Sequence, residues 1–303
     1  MTGKFLPLIL ALMASGALGA SVAGEVSGAM APGEFAAYVE DGRTRFDQAK
    51  SALPRFDALM ERVRQQPGGL RGLSLEALRS LAMDAHVANF YFAGARPDAH
   101  RDIVEELLDR SAASEQDLVD FHGALVAARN WDEARDFARR FPEAPLETLP
   151  EVRMGDGLQH GPSYLRPLPA ENVVVRESLG AGKGLSLVVV SHPDCGYSRA
   201  AMAAIEANPA LGDALPANRV YLAPTFGKLR FARVAQWNTR HPAFAHVLVD
   251  RPADWAFVSN WATPQFLFLR DGKVVEAVTG WPGEAQVELL MAAARRAARP
   301  PAD

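Results

Sequence analysis

The sequence predicts an all-α helical N-terminal domain followed by an α/β C-terminal domain. Two observations carry this. Over residues 34–145 the apolar residues recur at spacings of three and four, as on one face of a helix, and strand-type alternation is absent. Beyond residue 171, short β-branched runs alternate with helical stretches. Between them lies a segment rich in Pro and Gly with neither period, which reads as a linker over 146–170. A chain of 303 residues suits two domains at ~100–200 residues each.

Within the first domain, Ile103, Val104, Leu107 and Leu108 form one apolar stripe and Leu118, Phe121, Leu125 and Ala128 another. Pro67-Gly68-Gly69 closes one helix, Ser74 can cap the next, and Ser114 with Asp117 three residues later resembles a capping box. Helices are expected near 34–65, with a kink at Pro54, and near 75–93, 98–111, 115–129 and 132–141. The last two, joined at Asn130-Trp131, resemble a tetratricopeptide-type hairpin; its small residue is displaced to Gly123 and no second copy follows at the ~34-residue period. Such a domain either presents a concave surface to a protein partner or is a plain bundle packed on its neighbour. His86, His100 and His122 lack metal-ligand spacing.

In the second domain, Val173–Val175, Leu185–Val190 and Arg219–Leu222 read as strands, the second buried on both faces. Gly196–Ala207 and Leu229–Asn238 read as helices, and a further strand is expected at Ala245–Val249. Gln265–Leu269 and Val274–Val278 flank Asp271-Gly272, a signal for a tight antiparallel hairpin. Glu284–Ala297 closes the chain as an amphipathic helix with Leu289 and Leu290 facing in.

Composition narrows the function. The chain is 49% hydrophobic and 22% charged, with its 21 Pro and 24 Gly scattered, which excludes wholesale disorder and collagen-like repetition. A net charge of -4 gives no general attraction to nucleic acid or anionic lipid. Lys4, the apolar run Phe5–Met13 and the small residues up to Ala23 have the order of a secretory signal, with cleavage sites at Ala17-Leu18-Gly19 or Ser21-Val22-Ala23. A cleaved segment at 1–23 implies a periplasmic or secreted protein with no stable membrane insertion, in a compartment where disulfides persist. There, the single cysteine, Cys195, can form neither an internal disulfide nor a two-cysteine redox couple.

The run Val188-Val189-Val190-Ser191-His192-Pro193-Asp194-Cys195-Gly196-Tyr197-Ser198-Arg199 resembles the strand, active-site turn and helix start of thioredoxin-like proteins. Trp261-Ala262-Thr263-Pro264 resembles their cis-proline loop, and the Asp271-Gly272 hairpin and Gly280-Trp281 complete a likeness over residues 171–299. The resemblance implies a parallel strand pair extended by the hairpin, and a Thr263-Pro264 loop that offers backbone groups to an extended substrate.

A cysteine at a helix N-terminus is expected to be a better acid than a free thiol. His192 can add a positive charge or take the proton, Arg199 can contribute and Asp194 opposes them. Ser198 occupies the place of the second cysteine of a Cys-x-x-Cys site, and a hydroxyl cannot resolve a mixed disulfide. Of three readings the weakest has Cys195 reduce peroxide, because the peroxiredoxin arrangement places Thr or Ser where His192 stands. Two others lead. In one, the domain is a thiol-disulfide oxidoreductase or isomerase-like protein, with Cys195 as a monothiol resolved by a protein thiol or a small thiol such as glutathione. In the other, it is a non-catalytic binding protein with a degenerate site. Tyr197, Trp261 and Trp281 are candidates for an apolar rim, and no cofactor or metal is implied.

Overall fold

The computed structural model describes residues 30–41, 52–92, 94–158, 161–180, 183–225, 227–258 and 260–299. The expected signal segment and the middle of the expected 34–65 helix lie outside these. The helical part comprises α1 (Glu34–Asp41), α2 (Leu53–Gln65), α3 (Leu75–Tyr91), α4 (Pro97–Asp109), α5 (Glu115–Ala128) and α6 (Trp131–Arg140). Pro54 opens α2 rather than kinking a longer helix, because the first turn needs no N–H from it. Ser74 Oγ accepts the Ala77 N–H at 3.2 Å, and Ser114 with Asp117 forms the expected capping box. Asp84 on α3 accepts the N–H groups of Gly33 and Ala36 at 2.6 and 2.8 Å, so it caps α1 from a distant part of the chain. Phe35, Phe56, Leu59, Leu78, Leu81 and Ile103 form a core here.

The second part is an α/β unit. Its strands are β1 (Glu151–Met154), β2 (Ser163–Leu168), β3 (Val173–Ser178), β4 (Leu185–Val190), β5 (Arg219–Ala223), β6 (His246–Val249), β7 (Gln265–Arg270) and β8 (Lys273–Thr279). Among the described residues they form one mixed sheet in the order β1-β3-β2-β6-β5-β4-β7-β8. Helix α7 (Gly196–Ala207) follows β4, α8 (Pro209–Ala214) leads to β5, α9 (Phe231–Arg240) leads to β6, and α10 (Ala285–Ala298) ends the described chain. The segment β5-β4-β7-β8, with β4 parallel to β5 and antiparallel to β7, is the arrangement the thioredoxin resemblance implies. Four further strands widen the sheet beyond it. At the β7–β8 turn Asp271 and Gly272 both take positive φ, as a tight hairpin requires.

Two further expectations change. The stretch 146–170 carries β1 and β2, so it is built into the sheet. Proline and glycine hid the pattern: β6 pairs with β2 only at Tyr164 and Leu165, so Pro167 sits in a stretch with one open edge, where a missing N–H is tolerated. In α10, Leu290 is buried but Leu289 is exposed, because the helix turns Leu290, Ala293, Ala294 and Ala297 inward.

The helical part is packed on the sheet. Phe121, Leu125 and Phe137 share a buried cluster with Leu165, Val174, Ala223 and Leu248. At the end of α5, Arg129 runs into the end of the sheet. Its guanidinium donates to the carbonyls of Asp250, Val126 and Val249 and to the Thr225 hydroxyl, with the Asp250 carboxylate 3.7 Å away. Burial pushes the Arg129 pKa down to about 10 even so. The parallel strands β4, β5 and β6 thus bring the turn after β4 and the Arg129 contact to one end of the sheet, the end where open α/β sheets place ligands.

Candidate functional site

The turn after β4 is set by its own backbone. The Cys195 N–H donates to the His192 carbonyl at 3.0 Å, and the Arg199 N–H donates to the Cys195 carbonyl at 3.0 Å. Cys195 is the N-cap of α7, with extended backbone, so its side chain faces the unpaired N–H groups of the first turn. The Thr263–Pro264 peptide is cis, and it brings the Thr263 carbonyl to 3.5 Å from Cys195 Sγ, which donates to it. Partial burial pushes the thiol pKa up. The Thr263 side chain, the Ser198 N–H and hydroxyl and the Tyr197 N–H outweigh that and hold it below the ordinary thiol value.

Ser198 is 2% exposed, and its hydroxyl accepts the His192 N–H at 3.3 Å. It is therefore a buried part of the turn as well as a neighbour of the sulfur. His192 is not the cation the sequence allowed for. Its Nδ1 accepts the Asp194 N–H at 3.1 Å, and burial pushes its pKa below the ordinary value, with Arg230 and Arg233 adding to the effect against Asp194. The ring is neutral at pH 7, with its proton on Nε2.

Positive charge comes from arginines instead. Arg230 Nη1 lies 2.7 Å and Arg233 Nε 2.6 Å from the two oxygens of Asp194. Partial burial raises the Asp194 pKa, but the two arginines more than offset it, so the carboxylate stays ionised. Arg199 Nη1 donates to the Pro193 carbonyl at 2.8 Å. The one acid beside Cys195 is thus neutralised, with two guanidinium groups on it and a third across the turn. Arg230 and Arg233 are held in turn by Glu147, which accepts the N–H groups of Leu229 and Phe231 at 2.8 and 3.3 Å and caps α9. Sequence reasoning missed Arg230, Arg233 and Glu147. The spacing of three between the arginines, at the start of an expected helix, was the available signal for a shared face.

Beneath the turn, His246 is fully buried. Its Nε2 is 2.7 Å from Ser191 Oγ and its Nδ1 is 2.9 Å from the Phe244 carbonyl, an acceptor that only a protonated Nδ1 satisfies. Burial lowers its pKa to about 4.

The three aromatic candidates do not form one rim. Tyr197 is 63% exposed and borders a groove with Ala200, Ala203, Ala204 and the largely buried Trp281. Trp261 packs with Val188 and Trp255, whereas Trp281 packs with Leu187 and Val189. Alternate residues of β4 face opposite sides of the sheet, so the two tryptophans are on opposite faces. Among the described residues no group of His, Cys, Asp and Glu side chains could hold a metal ion, and no helix is long and apolar enough to cross a membrane.

No protein-family model matches the sequence, and a search of curated proteins finds no relative. Among solved structures, the solution structure of a putative thioredoxin from Neisseria meningitidis is similar over 46% of this chain and 91% of its own. The identity is 16% and the TM-score 0.29. The thioredoxin-like arrangement is carried here by the strand order and by the pairing of Cys195 with a cis-proline loop.

Proposed function

We propose that the protein is an exported thiol-disulfide oxidoreductase or isomerase-like protein in which Cys195 acts as a monothiol. The observation that carries this reading is the thiol itself: at the N-terminus of α7, 3.5 Å from the Thr263 carbonyl before cis Pro264, with its pKa held below the ordinary value. The first 23 residues support export to the periplasm or beyond.

In this reading the Cys195 thiolate attacks one sulfur of a protein disulfide. The S–S bond breaks, a mixed disulfide forms at Cys195, and the departing sulfur leaves as a thiolate that takes a proton from water. Deprotonation also releases the Thr263 carbonyl, which the S–H no longer occupies, so it can accept an N–H from an extended substrate strand. Ser198 favours the thiolate but offers no sulfur, so resolution falls to a thiol outside the chain.

The test is the alkylation rate of Cys195 as a function of pH in the folded protein. A midpoint clearly below ~8.5, the value of a free thiol, is expected, and one at or above it sinks the reading. A second experiment addresses partners: proteins or small thiols disulfide-linked to Cys195 are recovered under oxidising conditions. If wild type and Cys195→Ala recover the same set, the chain is a binding protein with an inert site.

A further inference from the structure

A cavity of about 150 Å³ separates the helical part from the loop after β5. Helix α3 lines it with His86 and Phe90, α5 with Asp120 and Gly123, and the loop with Lys228 and Arg230. The two walls approach closely because Gly123 has no side chain; a Cβ there would lie 2.7 Å from the Gly227 carbonyl oxygen.

The charges are divided between the walls. Asp120 Oδ1 is 3.3 Å from His86 Nδ1 on the helical side. Across from it, Lys228 is exposed, and its charge acts on Asp120 and on Glu147 without a salt bridge to either. Phe90, 39% exposed, contributes an apolar face. Arg230 belongs to both the cavity and the cysteine turn: it lines the cavity, and its guanidinium grips Asp194, the residue before Cys195. A simple anion here would meet Asp120, and a simple cation would meet Lys228 and Arg230. A small molecule carrying both an ammonium and a carboxylate satisfies the two walls together, and the volume suits a fragment of that size rather than a folded chain.

We propose that this cavity binds the free amino-acid end of a small cysteinyl thiol of the glutathione type, placing its sulfur to resolve Cys195; the assignment rests on the monothiol reading above. The thiolate of the small molecule attacks Sγ of Cys195 in the mixed disulfide. That S–S bond breaks, the protein substrate leaves as a thiol after taking a proton, and Cys195 is left joined to the small thiol. A second molecule of the same thiol displaces Cys195 as thiolate and forms the small-molecule disulfide. Two small thiols are oxidised for one protein disulfide reduced, so electrons balance.

The test uses S-methylglutathione, which keeps the amino-acid end and cannot exchange, titrated calorimetrically into the full-length protein. Saturable binding is expected, weakened tenfold or more in both Asp120→Asn and Lys228→Met. No saturable binding to wild type, or unchanged affinity in the two variants, overturns the assignment. The alkylation profile of Cys195 keeps the two ideas separate. Binding as expected with an unreactive Cys195 removes the monothiol reading and leaves the cavity a zwitterion site. A reactive Cys195 without binding removes the cavity assignment alone.

Discussion

Asp194 and Asp250 each lie just beyond the carboxyl end of a strand, β4 and β6, and each is gripped by two arginines. Asp194 holds Arg230 and Arg233, and its side chain is 32% exposed. Asp250 holds Arg129 and Arg176, accepts a hydrogen bond from Ser163 at 2.9 Å, and is 1% exposed. Identical residue types therefore do different work. In the buried cluster each charge depends on the others for the solvation it has lost, so the cluster fixes α5 to the end of the sheet. In the half-exposed cluster water still solvates every member, so its contribution to stability is small and its main effect is on the charge beside Cys195.

Acid should act on the buried groups first, and here the largest effect is expected. Burial lowers the pKa of His100 to about 3 and those of His122 and His246 to about 4, from an ordinary 6.5. The unfolded chain binds more protons than the folded one between those values and 6.5. The stability these histidines contribute is thus complete above pH 6.5 and is lost as pH falls towards 4. Asp84 works the other way. Burial raises its pKa to about 6, so its contribution is complete below about 3.8 and is lost as pH rises through 6. Asp120 and Glu147, also raised by burial, act with Asp84, and the lowered His192 acts with the other rings. The displacements of His100, His122 and His246 are the larger ones, so acidification should cost stability on balance. The urea midpoint should fall from pH 7 to 4.5; a flat profile would mean that these rings stay hydrated in the folded protein.

Next in size is Asp250→Ala, which leaves Arg129 buried without its carboxylate. A loss of ~3–5 kcal/mol is expected, against less than ~1 kcal/mol for Asp194→Ala. Urea unfolding of the two variants measures this, and equal losses would break the comparison. Ser198→Ala belongs between them. It strands the buried His192 N–H, for ~1–3 kcal/mol, and removes a hydroxyl that favours the thiolate. Alkylation of Cys195 at pH 7 should slow by ~3-fold, because less of the thiol is ionised.

What could be read from the sequence was local. Cys195 at a strand-to-helix turn, Thr263-Pro264 before a buried strand, Asp271-Gly272 in a hairpin and the Ser114–Asp117 box each depend on residues within a few positions of one another. What could not be read is made by contacts across the chain. Glu147 caps a helix more than eighty positions away, Arg129 enters the end of a sheet that begins after it, and Arg230 and Arg233 reach back to Asp194. Strands β1 and β2 were hidden by their prolines and glycines, and Leu289 and Leu290 are equally apolar, so only the phase set by packing decides which is buried. The meeting of Cys195 with the Thr263-Pro264 loop was legible, whereas the arginines around Asp194 were not.

Asp194→Asn is the smallest and most selective change. Asparagine keeps the backbone N–H that His192 Nδ1 accepts, and it keeps the shape of the side chain, but it removes the charge that neutralises Arg230 and Arg233. With two guanidinium groups unopposed, the Cys195 thiolate is favoured further, and alkylation at pH 7 should accelerate by ~2-fold. Because the cluster is half-exposed, salt should erase the difference. The screening length falls from ~10 Å at 0.1 M to ~3 Å at 1 M, so wild type and variant should converge at high ionic strength. An acceleration that persists in 1 M salt would mean that Asp194 acts by holding the turn, as Asp250 holds the end of the sheet, and the distinction between the two clusters would be lost.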